Sequence, residues 1–256
     1  VRRLLIRPGA IGDVIVSLPA LEALRANYTE VWAPDTVLPL IHFADRVRSI
    51  QSTGLSLLEL GMAPDSLRQT LASFDSIVSW YGTGREEFRD AVRAFPFQFH
   101  PALPEEGGEH AVDFYLRQVG APAGALPRIP VPRWDGGFVA LHPFSGSARK
   151  NWPFANFEEL RRRLQGEWVE GPQPGRRRYD DLGAVARWLA GAACYVGNDS
   201  GISHLAAAVG IPVVALFGPT DPNIWSPRGP QVCVLPLTAT VDEVERAVIE
   251  CRRCAP

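Results

Sequence analysis

Short apolar runs alternate with longer amphipathic stretches along the chain. The runs are Leu4 to Ile6, Glu30 to Ala33, Ser76 to Trp80, Phe138 to Leu141, Glu167 to Val169, Cys194 to Val196 and Val213 to Phe217. Such brief runs fit strands covered on both faces, and the stretches between them leave room for crossover helices. The pattern therefore predicts an α/β protein with mainly parallel sheets. It breaks once, between Gly120 and Gly137, where APAGALPRIPVPRWDGG carries four prolines and three glycines. We read a linker there, which gives a first domain over 1–126, a linker over 127–137 and a second domain over 138–240. A terminal helix and tail over 241–256 follow, marked by a capping box of Thr240 and Glu243 ahead of Val244, Ala247 and Val248. Each domain opens alike, with an apolar strand, a Gly-containing turn and then a helix: LLIRPGAIGD in the first, VALHPFSGSARKNWP in the second. Two Rossmann-like domains with mainly parallel sheets, facing each other across a cleft, are the simplest architecture for this pattern. In the first of those helices, Val14, Ile15, Leu18, Leu21 and Leu24 mark the apolar face. Pro19 requires a kink or a start near Ser17.

Composition narrows the function classes. With 46% hydrophobic residues in 256, the chain can bury one large core or two smaller ones. The net charge of −2 is spread evenly, so nothing draws either domain to nucleic acid. The longest apolar run, Leu205 to Phe217, is broken by Gly210 and Pro212 and falls short of the roughly 20 residues of a membrane span. No transmembrane segment is expected, and the cytoplasm is the expected location. Of the four cysteines, only Cys251 and Cys254 have metal-like spacing. With no second pair or nearby histidine, no metal site is expected.

Three places carry candidate chemistry. Cys194 to Val196 reads as a strand, Gly197 to Gly201 as a polar turn, and Ser203 to Val209 as a helix closed by Gly210. Free amides and the positive end of the helix dipole converge at such a turn, which suits the diphosphate of a nucleotide-linked substrate. Gly201 admits close approach, Ser200 adds a hydroxyl, and His204 lies in the first helical turn. The alternative is that Asp199 or Ser200 merely caps the helix. Lys150 is the only lysine beside 25 arginines. It follows a loop whose Ser145, Gly146 and Ser147 have the composition of a phosphate cradle, and an ammonium suits a phosphate; a solvated surface lysine is the alternative. Asp13 stands at the start of the first helix, either as an N-cap or as a catalytic base. Neither turn holds GxGxxG, so hydride transfer is disfavoured.

RPGAIGDVIVSLPAL, HPFSGSARKNWP and GNDSGISHLAAAVGIPVVALFGPTDP, in this order, resemble glycosyltransferase family 9, the bacterial ADP-heptose:lipopolysaccharide heptosyltransferases. The resemblance implies a GT-B fold and an inverting, metal-independent transferase without a cofactor. It would move a heptose or related sugar from a nucleotide-diphosphate donor, ADP-linked in the family, to a lipopolysaccharide-core-type glycolipid at the inner face of the cytoplasmic membrane. Asp13 is then the general base and Lys150 the group that steadies the departing diphosphate. Ser145, Gly146, Ser147, Asn198, Asp199, Ser200, Gly201, Ile202 and His204 would bind the donor, with Asp199 on the sugar. Arg7 and Gly12 would meet the acceptor, and Arg85 is a further candidate for an acceptor phosphate. Two departures stand out: the chain is shorter than the family's usual length, and Gln173 and Pro174 replace an acidic residue that helps hold the nucleoside. An epimerase of the same fold and a non-catalytic nucleotide-sugar binder are the rival readings.

Overall fold

The computed structural model describes residues 1–169 and 181–253. Among them lie two parallel five-stranded sheets. The first holds β1 (Arg2–Ile6), β2 (Tyr28–Ala33), β3 (Arg46–Ser49), β4 (Ser76–Ser79) and β5 (Phe97–Phe99), in the order β3-β2-β1-β4-β5. The second holds β6 (Val139–His142), β7 (Glu167–Trp168), β8 (Cys194–Asn198), β9 (Val213–Phe217) and β10 (Val232–Pro236), in the order β10-β9-β8-β6-β7. The helices are α1 (Ile11–Ala23), α2 (Asp65–Ala72), α3 (Glu86–Ala91), α4 (Ala111–Gln118), α5 (Phe154–Leu164), α6 (Leu182–Leu189), α7 (Gly201–Val209), α8 (Pro222–Trp225) and α9 (Val241–Arg253).

In each sheet the winding reverses once, between β1 and β4 in the first and between β6 and β8 in the second. Open parallel sheets bind ligands at the carboxyl ends of the strands beside such a reversal. The register pairs His142 with Gly197, so β6 and β8 end nearly level and the loop after β6 lies beside Asp199. Residues 170–180, which include the Gln173 and Pro174 departure, lie outside the described residues.

One apolar cluster runs from Leu5 and Val78 of the first sheet through α1 and α7 to Ala215 of the second. The two sheets thus share a core. The outer faces have separate clusters, the second sheet under α5 and α9 and the first around Trp32, Ile77 and Phe88. The capping box forms at the start of α9: the Thr240 amide and hydroxyl both reach Glu243 Oε2, and the Glu243 amide donates back to Thr240 Oγ1.

Of the two outcomes expected at Pro19, the start near Ser17 needs correction, because α1 begins at Ile11 and runs through the proline. A proline inside a helix costs about 3 kcal/mol. Burial outweighs it, since every residue from Val14 to Leu21 is buried and each large apolar side chain contributes about 1.5–3 kcal/mol.

The starts of α1 and α7 meet at their glycines. A Cβ on Gly201 would lie 2.6 Å from Ile11 Cβ, and one on Gly12 would lie 3.1 Å from His204 Cδ2. These two glycines let the helix starts close on each other. Gly201→Ala should therefore destabilise the protein by about 1–3 kcal/mol through overpacking. Gly146→Ala, where an added Cβ meets nothing within 4 Å, should stay within about 0.5 kcal/mol of the parent. Urea denaturation of both variants reads the difference; equal midpoints would show that the helix starts have room to part.

Candidate functional site

Where the two sheets' carboxyl ends converge, residues of both halves line a cavity of about 470 Å³. Ala10, Gly12, Asp13 and Leu103 come from the first half. Gly146, Ser147, Lys150, Asp199, Ser200, Gly201, His204, Thr220 and Trp225 come from the second. A larger hollow of about 620 Å³ lies at edge strand β5, but there Glu86 and Asp90 offset Arg89 and Arg93 and no strand reversal is near.

The α7 side of the cavity is fixed from beneath. Ser203 Oγ donates to the Asn198 carbonyl at 2.5 Å, and the buried Tyr195 hydroxyl lies 3.1 Å from Ser203 Oγ. Ser200 occupies the N-cap position in extended conformation but makes no side-chain cap bond. Its hydroxyl is thus not consumed by capping, and the first amides of a helix lack intrahelical partners. The dipole end and those amides form the anion-receptive wall.

The loop after β6 is anchored by Trp152. Its amide donates to Asn198 Oδ1 at 2.9 Å, its indole N–H donates to the Ala239 carbonyl at 2.9 Å, and the side chain is buried. This holds Lys150 over α7, where Nζ donates to Asp199 Oδ2 at 2.6 Å. The lysine side chain is 32% exposed and the aspartate 8%, so the ammonium stays within reach of a ligand while its partner is sequestered.

Asp13 is the third helical residue of α1, not its N-cap. Its Oδ2 accepts the Ala10 amide at 2.8 Å, and its other oxygen makes no hydrogen bond among the described residues. Gly9, at φ +123°, turns the chain into this arrangement; a Cβ there would meet Asp13 Cβ at 2.8 Å.

Several expected site residues do other work. Arg7 is buried, and its guanidinium donates to Ser17 Oγ, the Pro8 and Asp13 carbonyls and the Tyr115 hydroxyl. It braces the Asp13 turn from inside instead of facing an acceptor. Arg85 pairs with Glu59 at 2.8 Å and lies over the Tyr81 ring. Asn198 is fully buried, its amide group donating to the Pro143 carbonyl at 2.8 Å while its oxygen accepts from Trp152, so it staples the loop to β8. Ser145 orders the same loop through Asn151 Oδ1 and Ser147, and the Ile202 side chain belongs to the shared core. Gly201 admits Ile11 of the first half. Sequence reasoning missed the Lys150–Asp199 pair and the lining residues Thr220, Trp225 and Leu103. Thr220 stands just after β9, so the strand-end rule was the available signal there; Leu103, which follows the unrecognised β5, and Trp225 had none.

Among the described residues no group of three or more His, Cys, Asp and Glu is placed to hold a metal, and Cys254 lies outside them. Nor, among them, is any helix long and apolar enough to cross a membrane.

Burial lowers the pKa of His204 from 6.5 to about 4, and that of His142 equally. Their Nδ1 atoms have no hydrogen-bond partner among the described residues. His204 is therefore neutral near pH 7 and contributes shape and dipole to the cavity, not charge. The unfolded chain takes up these protons below about pH 6.5, whereas the folded protein resists until about pH 4. Stability should fall across that window by on the order of 3 kcal/mol per histidine. Urea midpoints measured from pH 7.5 to 4 should show the loss, and His142→Phe should make it shallower. An unchanged slope in that variant would remove His142 from the account.

A model of glycosyltransferase family 9 (heptosyltransferase) matches residues 180–250. Lipopolysaccharide heptosyltransferase 1 of Pseudomonas aeruginosa is 30% identical over 190 residues, which take in 66% of this chain and 50% of that protein. The chain thus spans half the length of this relative. Lipopolysaccharide heptosyltransferase 2 of Escherichia coli K12 is 24% identical over 95% of this chain and 90% of its own. The structure of E. coli ADP-heptose lipopolysaccharide heptosyltransferase II matches with a TM-score of 0.75 over 99% of both chains at 17% identity, a likeness of fold. That fold is GT-B.

Proposed function

We propose that the chain is a member of glycosyltransferase family 9 and that it transfers a heptose or related sugar from an ADP-linked donor to a lipopolysaccharide-core-type acceptor. The acceptor would be presented at the inner face of the cytoplasmic membrane. Transfer would proceed with inversion and without a divalent cation. One observation carries the reading: a carboxylate from one half and an ammonium with a helix start from the other line the same cavity.

The chemistry follows from that placement. Asp13 takes the proton of the acceptor hydroxyl as that oxygen attacks the anomeric carbon, and the bond from this carbon to the diphosphate oxygen breaks. Attack and departure on opposite faces of the sugar invert the centre. Charge gathers on the leaving diphosphate, where the amides at the start of α7, Ser200 and Lys150 receive it. Lys150 and these amides supply positive charge of the kind a metal ion supplies elsewhere. As the donor enters, Lys150 turns from Asp199 to the phosphates, which frees the Asp199 carboxylate to accept from sugar hydroxyls.

A transfer assay with ADP-heptose and a core acceptor tests this. Asparagine can still accept the Ala10 amide, so Asp13→Asn should keep the unfolding midpoint and nucleotide affinity yet lose about 10²–10⁴-fold in turnover. Lys150→Met should lose about 10²–10³-fold, as for removal of a donor at a developing anion. Failure of every nucleotide sugar to bind at Lys150 and Ser200 would sink the proposal. Binding without Asp13-dependent turnover would mark a non-catalytic binder, and sugar interconversion without acceptor an epimerase.

A further inference from the structure

We infer that His110 and Asp113, at the start of α4, are positioning residues that hold the 220–228 segment, and with it Trp225, as the apolar wall of the cavity. The inference rests on the nucleotide-sugar reading of that cavity. Both oxygens of Asp113 engage the Arg228 guanidinium, Nη1 donating to Oδ1 at 2.8 Å and Nη2 to Oδ2. A planar fork on a carboxylate fixes orientation as well as distance, and this pair is largely buried, with side chains 23% and 18% exposed. Two residues earlier, the Ser226 carbonyl lies 2.9 Å from His110 Nε2. Because His110 Nδ1 accepts the Val112 amide at 3.2 Å, Nε2 carries the proton and donates to Ser226. Just beyond, Gly229 lies so close to α7 that a Cβ would meet the Ala207 carbonyl at 2.7 Å. The segment is thus trapped between α4 and α7.

Trp225 ends α8 within this clamp and, with Leu103, lines the cavity with large apolar side chains. An aromatic ring of this kind suits the C–H face of a sugar, not a phosphate. The same helix braces the facing wall, since the Tyr115 hydroxyl accepts from Arg7 Nη2 at 2.9 Å and Arg7 donates to the Asp13 carbonyl at 2.8 Å. One short helix therefore sets both the base and the surface that would hold the donor sugar against it.

Asp113→Asn keeps an acceptor for the Gly124 amide, which Asp113 Oδ1 accepts at 2.8 Å, but loses the charged fork. Arg228→Gln removes the other half. Hydrogen exchange followed by mass spectrometry on the ligand-free protein, paired with donor kinetics, tests the clamp. Each single variant, and the double variant no more than either, should speed exchange across residues 222–228 by about tenfold, while α1 and α7 keep their protection. The donor KM should rise about tenfold, with kcat changing less than about threefold. Unchanged exchange at 222–228, acceleration throughout the molecule, additive effects in the double variant or an unchanged donor KM would each overturn the inference. Absence of turnover in the unaltered protein would overturn the enzymatic reading instead, and the exchange pattern would still decide whether the clamp exists.

Discussion

The meeting of α1 and α7 is the constraint from which the site follows. Each helix begins at the carboxyl end of a strand beside a winding reversal, and each brings a positive dipole end to that point. Two such ends can approach only where side chains are missing, and Gly12 and Gly201 supply the gap. The approach places Asp13 at the start of one helix, and Ser200 with the uncapped amides at the start of the other, around a single cavity. A continuous apolar cluster runs through both helices and packs them together. A hinge with a wet interface would leave the two walls to find each other on binding.

Preorganisation extends below the surface. Tyr195, Ser203, Asn198 and Trp152 have no place in the cavity, yet they fix the two loops that do. Arg7 acts likewise on the Asp13 turn. Buried polar groups of this sort cost stability unless every bond is made, and here the bonds converge on a few carbonyls and hydroxyls. The Lys150–Asp199 pair is the exception in kind, because a partly exposed ammonium can exchange its partner for a phosphate at modest cost.

Much of the fold was legible because strands buried on both faces leave apolar runs. The strands that escaped, β3, β5 and β10, lie at sheet edges; in β3 and β5 the exposed Arg46 and Gln98 interrupt the run, whereas β10 is a short apolar run with Val234 exposed. The start near Ser17 failed because local propensity says nothing of the seven buried residues around Pro19. At the site, helix-terminus physics located Asp199, Ser200 and His204, and the lone lysine stood out by composition. Arg7, Asn198 and Ser145 share one ambiguity: a polar residue in a turn can serve the ligand or the turn itself, and the bonds these three make hold the turn. Trp225 was invisible, since its place depends on contacts between α4 and a segment more than a hundred residues away.

The central claim is that two phosphates are gripped between the start of α7 and Lys150. Calorimetric titration of the unaltered protein and of Lys150→Met with ADP and with AMP addresses it directly. The account predicts that ADP binds the unaltered protein at least about tenfold more tightly than AMP, since each charge-assisted bond contributes about 1.5–3 kcal/mol, and that Lys150→Met erases most of the difference. Equal affinities of the unaltered protein for ADP and AMP would contradict it.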